Sequence, residues 1–141
     1  MAHVMIKSAL PLTRSQIMGR VKNSNTKPEK KVRSVLHKLG FRFRVNRRDL
    51  PGSPDIVLPK YRTVIFVHGC FWHQHPGCRK AKRPKTRVAF WNAKLDRNIE
   101  RDRENQGALE SSRWRVLVIW ECQTIQENSL IRLLQGFFVP K

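Results

Sequence analysis

Apolar positions change their period several times along the chain, and each change marks an element. Val32, Val35, Leu36 and Leu39 recur at helical spacing. Thr26-Lys27-Pro28-Glu29 precedes them as a capping box, with Thr26 at the N-cap and Glu29 at the third helical position, and Gly40 supplies the stop. Phe41 to Val45 alternates apolar and basic residues, the period of a half-buried strand. A turn-rich link, Leu50-Pro51-Gly52-Ser53-Pro54, leads into a short strand from Asp55 to Leu58. After a turn at Pro59 to Arg62, Thr63 to Val67 is an unbroken apolar run, predicted as a central strand buried on both faces and paired with its predecessor as a hairpin. Arg87 to Glu110 carries Phe90, Leu95, Ile99 and Leu109 among many charges and predicts one or two helices. Trp114 to Trp120 predicts another buried strand, and Ser129 to Phe137 a closing helix with Leu130, Leu133 and Leu134 on one face. Near the start, Thr13 or Ser15 can cap a short helix through Met18 and Val21, and residues 1–12 read as a loosely held segment. The order predicts an α/β fold, a mixed central sheet flanked by helices in one domain over residues 1–141.

Charge sharpens this picture. Twenty-nine Lys and Arg against ten Asp and Glu leave a formal charge of +19, so the expected partner is a polyanion, with nucleic acid first. Neither a basic amphipathic helix nor an apolar run of membrane-spanning length is evident, which argues against a membrane partner. Three cysteines, an odd number without a paired framework, fit a reducing compartment where clustered Cys and His bind metal. The expected location is the cytoplasm.

The densest chemistry lies in His68-Gly69-Cys70-Phe71-Trp72-His73-Gln74-His75-Pro76-Gly77-Cys78. Thiolates and imidazoles are zinc ligands, and a structural site needs four. Cys70, Cys78 and either His73 or His75 are close enough in sequence to wrap one ion, and a cluster using both histidines is a further option. Cys122 joins them if the strand ending at Trp120 lies beside the one ending at Val67. Asp55, at the start of a strand whose hairpin partner ends in His68, is placed to hold magnesium. Taken alone, Pro54-Asp55 is an ordinary turn and His68 an ordinary buried histidine. The same features serve a non-catalytic, zinc-stabilised DNA-binding module, and the charge and cysteines fit it equally well.

Several segments in order carry a stronger signal. Leu50 to Asp55, Val64 to His73, Phe90-Trp91, Asn98 to Asp102 and Trp114 to Cys122 closely resemble the very-short-patch mismatch repair endonucleases. The His-Gly-Cys-Phe-Trp-His run combined with the distant Trp-Glu-Cys is highly specific. The resemblance spans roughly Thr13 to Cys122.

That resemblance implies a restriction-endonuclease-like fold with a modified active site, in which Phe66-Val67-His68 stands where the wider class has acid-x-Lys. It implies that Asp55 ligates magnesium together with the backbone carbonyl of Val67. His73 becomes the general base acting on a metal-bound water, Asp102 its orienting partner, and His68 a contact to the phosphate. Glu29 becomes a further acidic residue acting through metal-bound water, beside its capping role. The structural zinc is implied at Cys70, His75, Cys78 and Cys122, although Gln74 interrupts a region that is often a His run. The implied substrate is double-stranded bacterial DNA with a T·G mismatch left by deamination of 5-methylcytosine, nicked 5′ of the thymine. Phe71, Trp72 and Trp91 would enter the duplex from the major groove, and Met18 and Val21 from the minor groove. Other mismatch repair proteins would be further partners, and the enzyme would act as a monomer. A restriction-like enzyme on matched DNA is the nearest alternative.

Overall fold

The computed structural model describes residues 25–138. The Met18 and Val21 helix therefore lies outside the described residues. Helix α1 (Lys27–Lys38) begins as its capping box predicts, with Glu29 N donating to Thr26 Oγ1 at 3.4 Å. The returning bond comes from one residue earlier than the motif requires, Asn25 N to Glu29 Oε1 at 3.0 Å. At the other end Gly40 adopts φ +85°, Gly40 N bonds His37 O and Phe41 N bonds Leu36 O. This paired closure is a Schellman motif.

Closure of the helix corrects one expectation. Phe41 is held by the helix end, so the strand predicted from Phe41 shrinks to β1 (Arg44–Val45), exposed at both residues. Phe41 and Phe43 instead lean on the core, Phe41 with ring centroids 5.4 Å from Tyr61 and 4.7 Å from Phe138. Strands β2 (Ile56–Leu58) and β3 (Thr63–His68) form the expected antiparallel hairpin, with Ile56 opposite Ile65. The 24-residue helix α2 (Val88–Ser111) is one helix, and β4 (Arg115–Trp120) and α3 (Glu127–Phe137) complete the order.

The sheet runs β1-β2-β3-β4, with β4 parallel to β3 and His68 beside Trp120. Period-two side chains divide its core in two. Ile56, Leu58, Ile65 and Ile119 face α1 and α3, meeting Val32, Val35, Leu36, Leu130 and Leu134. Val57, Val64 and Phe66 face the other way, against Leu109 of α2. This three-layer arrangement explains why Val64 to Val67 of β3 are all apolar: helices cover both faces. β4 departs from expectation, since only Ile119 is buried; it forms the edge of the sheet and has a strand on one side only. Within α2, Trp91, Leu95 and Leu109 point inward, whereas Phe90, one of the apolar positions that predicted this helix, is 40% exposed. Among the described residues no helix is long and apolar enough to cross a membrane.

Candidate active site and metal centre

The ends of β2, β3 and β4 converge on one side of the sheet, and the chemistry gathers there. A cavity of about 820 Å³ opens between the N-terminus of α1, the β3 end and the middle of α2. Asp55, His68, His73, Asp102, Glu29 and Val67 all line it. Residues separated by more than seventy positions are thus brought together by one parallel strand pair and one helix crossing.

Asp55 immediately precedes β2, and its Oδ2 accepts the Val67 N–H at 2.7 Å across the hairpin. Burial pushes the Asp55 carboxyl up to about 7; the Val67 N–H opposes the shift and the charge of Glu29 reinforces it. Glu29 is 2% exposed and held by Asn25 N, by the Thr26 hydroxyl at 3.1 Å and by Arg33 at 3.4 Å. Two carboxyl groups facing one cavity, one of them held up near neutrality, form a donor set whose charge a divalent cation would offset.

His73 Nδ1 lies 2.6 Å from Asp102 Oδ2, which leaves the other ring nitrogen to act. His68 stacks on His73 with centroids 3.8 Å apart and 7° between planes. Burial pushes His68 down to about 3, and the neighbouring His73 adds to the shift, so His68 is a neutral ring at working pH. The family resemblance names Asp102 as the partner of His73, but the pattern of the residues alone does not. Asp102 sits in a charged run that looks solvated, and only the inward turn of α2 selects it.

A second cluster lies beyond this one. Ligand atoms of Cys70, His75, Cys78 and Cys122 all fall within 4.8 Å of one another. His75 Nδ1 is 3.6 Å from Cys70 Sγ and 3.5 Å from Cys122 Sγ. Tetrahedral bonds of about 2.3 Å to sulfur and about 2.0 Å to nitrogen place such ligand atoms about 3.5 Å apart, so these four residues fit a bound ion. Position separates the two histidines: His75 faces the thiols and His73 faces Asp102. His75 stacks on Trp120, with 4.3 Å between centroids. Burial pushes the Cys70 thiol up to about 12, and hydrogen bonds and charge from the nearby thiols add to the shift.

Three supports escaped sequence reading. Glu121 Oε1 accepts the Cys70 N–H at 3.0 Å, tying the metal loop to the end of β4. Gln74, at φ +52°, donates to Phe71 O at 2.8 Å and to Ala81 O at 2.9 Å, and so closes the loop rather than serving as a ligand. Asn98 Nδ2 donates to Trp72 O at 3.1 Å. Glu121, Gln74 and Asn98 all lay inside quoted segments, but nothing in the residues assigned them these bonds.

The aromatic residues need a correction. Trp91 is 2% exposed and Phe71 9%, and both pack with Leu95 in a small core against which Trp72 leans. Their rings touch edge-on, at 5.6 Å for Phe71 and Trp91. Exposed stacking faces were expected, but only Phe71 and Trp72 reach the cavity wall, because α2 turns Trp91 beneath them.

The profile of the family described as DNA mismatch endonuclease Vsr matches residues 8–80. This chain belongs to the Vsr family. Among its relatives is the type II nicking enzyme V.XorIIP of Xanthomonas oryzae pv. oryzae, 47% identical over 130 residues, 92% of this chain and 95% of that protein. The DNA mismatch endonuclease Vsr of Escherichia coli K12 is 47% identical over 110 residues, 78% of this chain and 70% of that protein. The type II nicking enzyme V.NmeAIP of Neisseria meningitidis is 46% identical over 110 residues, 78% of each chain. Membership makes the chain a DNA mismatch endonuclease, with the cavity as its candidate active site and the Cys/His cluster as its candidate metal centre.

Proposed function

We propose that this Vsr-family chain forms one monomeric, restriction-endonuclease-like domain that nicks double-stranded DNA 5′ of the thymine in a T·G mismatch. The observation that carries the reading is the shared cavity of Asp55, Glu29, His68, His73 and Asp102 in a chain of charge +19.

Asp55, with the backbone carbonyl of Val67, would hold magnesium, and Glu29 would act on it through intervening water rather than as a direct ligand. Bound there, the ion supplies Lewis acidity toward the scissile phosphate and its attacking water. His73 takes the proton from that water through its free ring nitrogen, and Asp102 holds the ring and stabilises the imidazolium that forms. Neutral His68, stacked on His73, donates a hydrogen bond to the phosphate without adding a charge that would compete with proton transfer. Cys70, His75, Cys78 and Cys122 would hold zinc, stapling the loop that bears His73 to the end of β4.

Phe71 and Trp72 sit at the cavity edge, where a base step has to open for the backbone to reach Asp55. A mismatched step costs less to unstack, and an aromatic ring returns roughly 1–3 kcal/mol per stacked base. Buried Trp91 serves this best from behind, as the platform on which Phe71 and Trp72 tilt; direct stacking by Trp91 requires that small core to open on binding. Met18 and Val21 are assigned to the opposite groove on the family resemblance.

The test is a nicking assay on a T·G heteroduplex and the same T·A duplex, with magnesium or with chelator. Magnesium-dependent nicking confined to the heteroduplex is expected. Equal cleavage of both duplexes across varied flanking sequences would favour the matched-DNA alternative.

A further inference from the structure

Beyond Phe71, on the side away from the catalytic residues, lies a second hollow of about 440 Å³. Its wall is formed by the loop from Arg79 to Thr86, in which five of eight residues are Lys or Arg. No acidic residue occurs between Asp55 and Asp96 in the sequence, so the loop carries no compensating charge of its own.

The fold holds this loop in place. Cys78 anchors one end in the metal cluster, and a 3₁₀ turn follows at Arg79–Ala81. Arg83 donates to Gln74 Oε1 at 2.9 Å, to Asn92 Oδ1 at 2.9 Å and to Asp96 Oδ1 at 2.7 Å, pinning the loop to α2. Arg83 is thus consumed by structure, and Lys80 lies 3.9 Å from Glu121. The remaining cations are a different matter. Arg79, Lys82 and Lys85 are exposed, and among the described residues no ion pair or hydrogen bond engages their side chains. Like charges held together without partners repel one another, and a loop braced by three bonds from one arginine keeps them together.

Phe71 lines both hollows and is the wall between them. A strand of phosphates lying in the basic groove therefore reaches the catalytic cavity by passing over Phe71 and Trp72. From the charge, the bracing and this shared wall, we infer that Arg79, Lys82 and Lys85 form a phosphate-binding groove. It clamps the DNA backbone beside the aromatic residues while the base step is opened. The inference rests on the chain being a DNA endonuclease; it assigns backbone contacts and leaves mismatch choice to the cavity. The groove reads no sequence, because phosphate contacts position a duplex without specifying bases.

The experiment measures affinity for a labelled T·G heteroduplex and its T·A counterpart across a salt series, using the full chain. Each phosphate neutralised contributes about 0.9 to the slope of log affinity against log salt. Replacing Arg79, Lys82 and Lys85 together by Gln should lower the slope by about 2–3 on both duplexes equally. Lys82→Gln alone should lower it by about 1. The ratio of nicking between the two duplexes should stay unchanged, because the groove reads no base. Lys60→Gln with Arg113→Gln removes charge at the far end of β3 and β4 and should leave the slope near that of the native chain. A triple variant with the native slope, or one no different per charge from the distant control, would overturn the groove and turn attention to an acidic protein as its occupant. A native chain that nicks both duplexes alike would overturn the mismatch reading instead, while the slope difference between variants still reports on the groove.

Discussion

Replacing Asp55 by Asn should stabilise the metal-free protein at neutral pH while abolishing nicking. The carboxyl is driven from its ordinary value of 3.8 up to about 7, chiefly by burial and further by the charge of Glu29. Between those values the folded state holds a proton that the unfolded state has lost, so stability falls as pH rises through the window and levels off above 7. Each unit is about 1.4 kcal/mol, so the full cost of ionising Asp55 is about 4 kcal/mol at most. Partial access to water from the cavity reduces this, and about 2–4 kcal/mol is expected, on the order of 10 °C in melting temperature. Asn keeps the acceptor for the Val67 N–H and lacks the charge. Buried His68 works in the opposite direction, losing stability as pH falls from 6.5 toward 3, but it is common to both proteins and cancels in the difference. Thermal melts of both proteins in chelator from pH 4 to 9 should coincide at the acid end and separate as pH rises toward 8. Magnesium chloride should raise the melting temperature of the native chain at pH 8 and leave the variant unmoved. Equal melting temperatures at pH 8 in chelator would refute the reasoning, since the carboxylate would then carry no burial cost.

Other outcomes follow from the same geometry. Elemental analysis should find about one zinc per chain, lost with thermal stability in Cys122→Ser and in His75→Ala but retained in His73→Ala; a zinc-free protein of unchanged stability would remove the metal centre. His73→Ala should slow nicking about 10²–10⁴-fold with DNA affinity nearly intact, and a severalfold loss would exclude it as the base. Gly52 has φ +75° and an added Cβ would meet Asn105 at 3.0 Å, so Gly52→Ala should cost about 1–3 kcal/mol in urea unfolding; a neutral result would show that the turn beside the cavity yields.

How much of this was legible depends on the distance over which each signal acts. The capping box at Thr26, the glycine stop at Gly40 and the β2–β3 hairpin are local: short-range hydrogen bonds and period-two or period-3.6 burial determine them within a few residues. The His-Gly-Cys-Phe-Trp-His run is equally local, and with Trp-Glu-Cys it named the family from residues alone. Tertiary structure decided everything that depends on which way a residue faces. It turned His75 toward the thiols and His73 toward Asp102, a choice that spacing left open. It put Trp91 beneath Phe71 and left its neighbour Phe90 outside, because one residue on a helix rotates the side chain by about 100° and only the position of α2 on the sheet selects the buried one. It placed β4 at an edge, so a strand as apolar as β3 stays half exposed. It also raised Asp55 and lowered His68, since burial and a neighbouring charge are properties of the assembled cavity and of no segment alone.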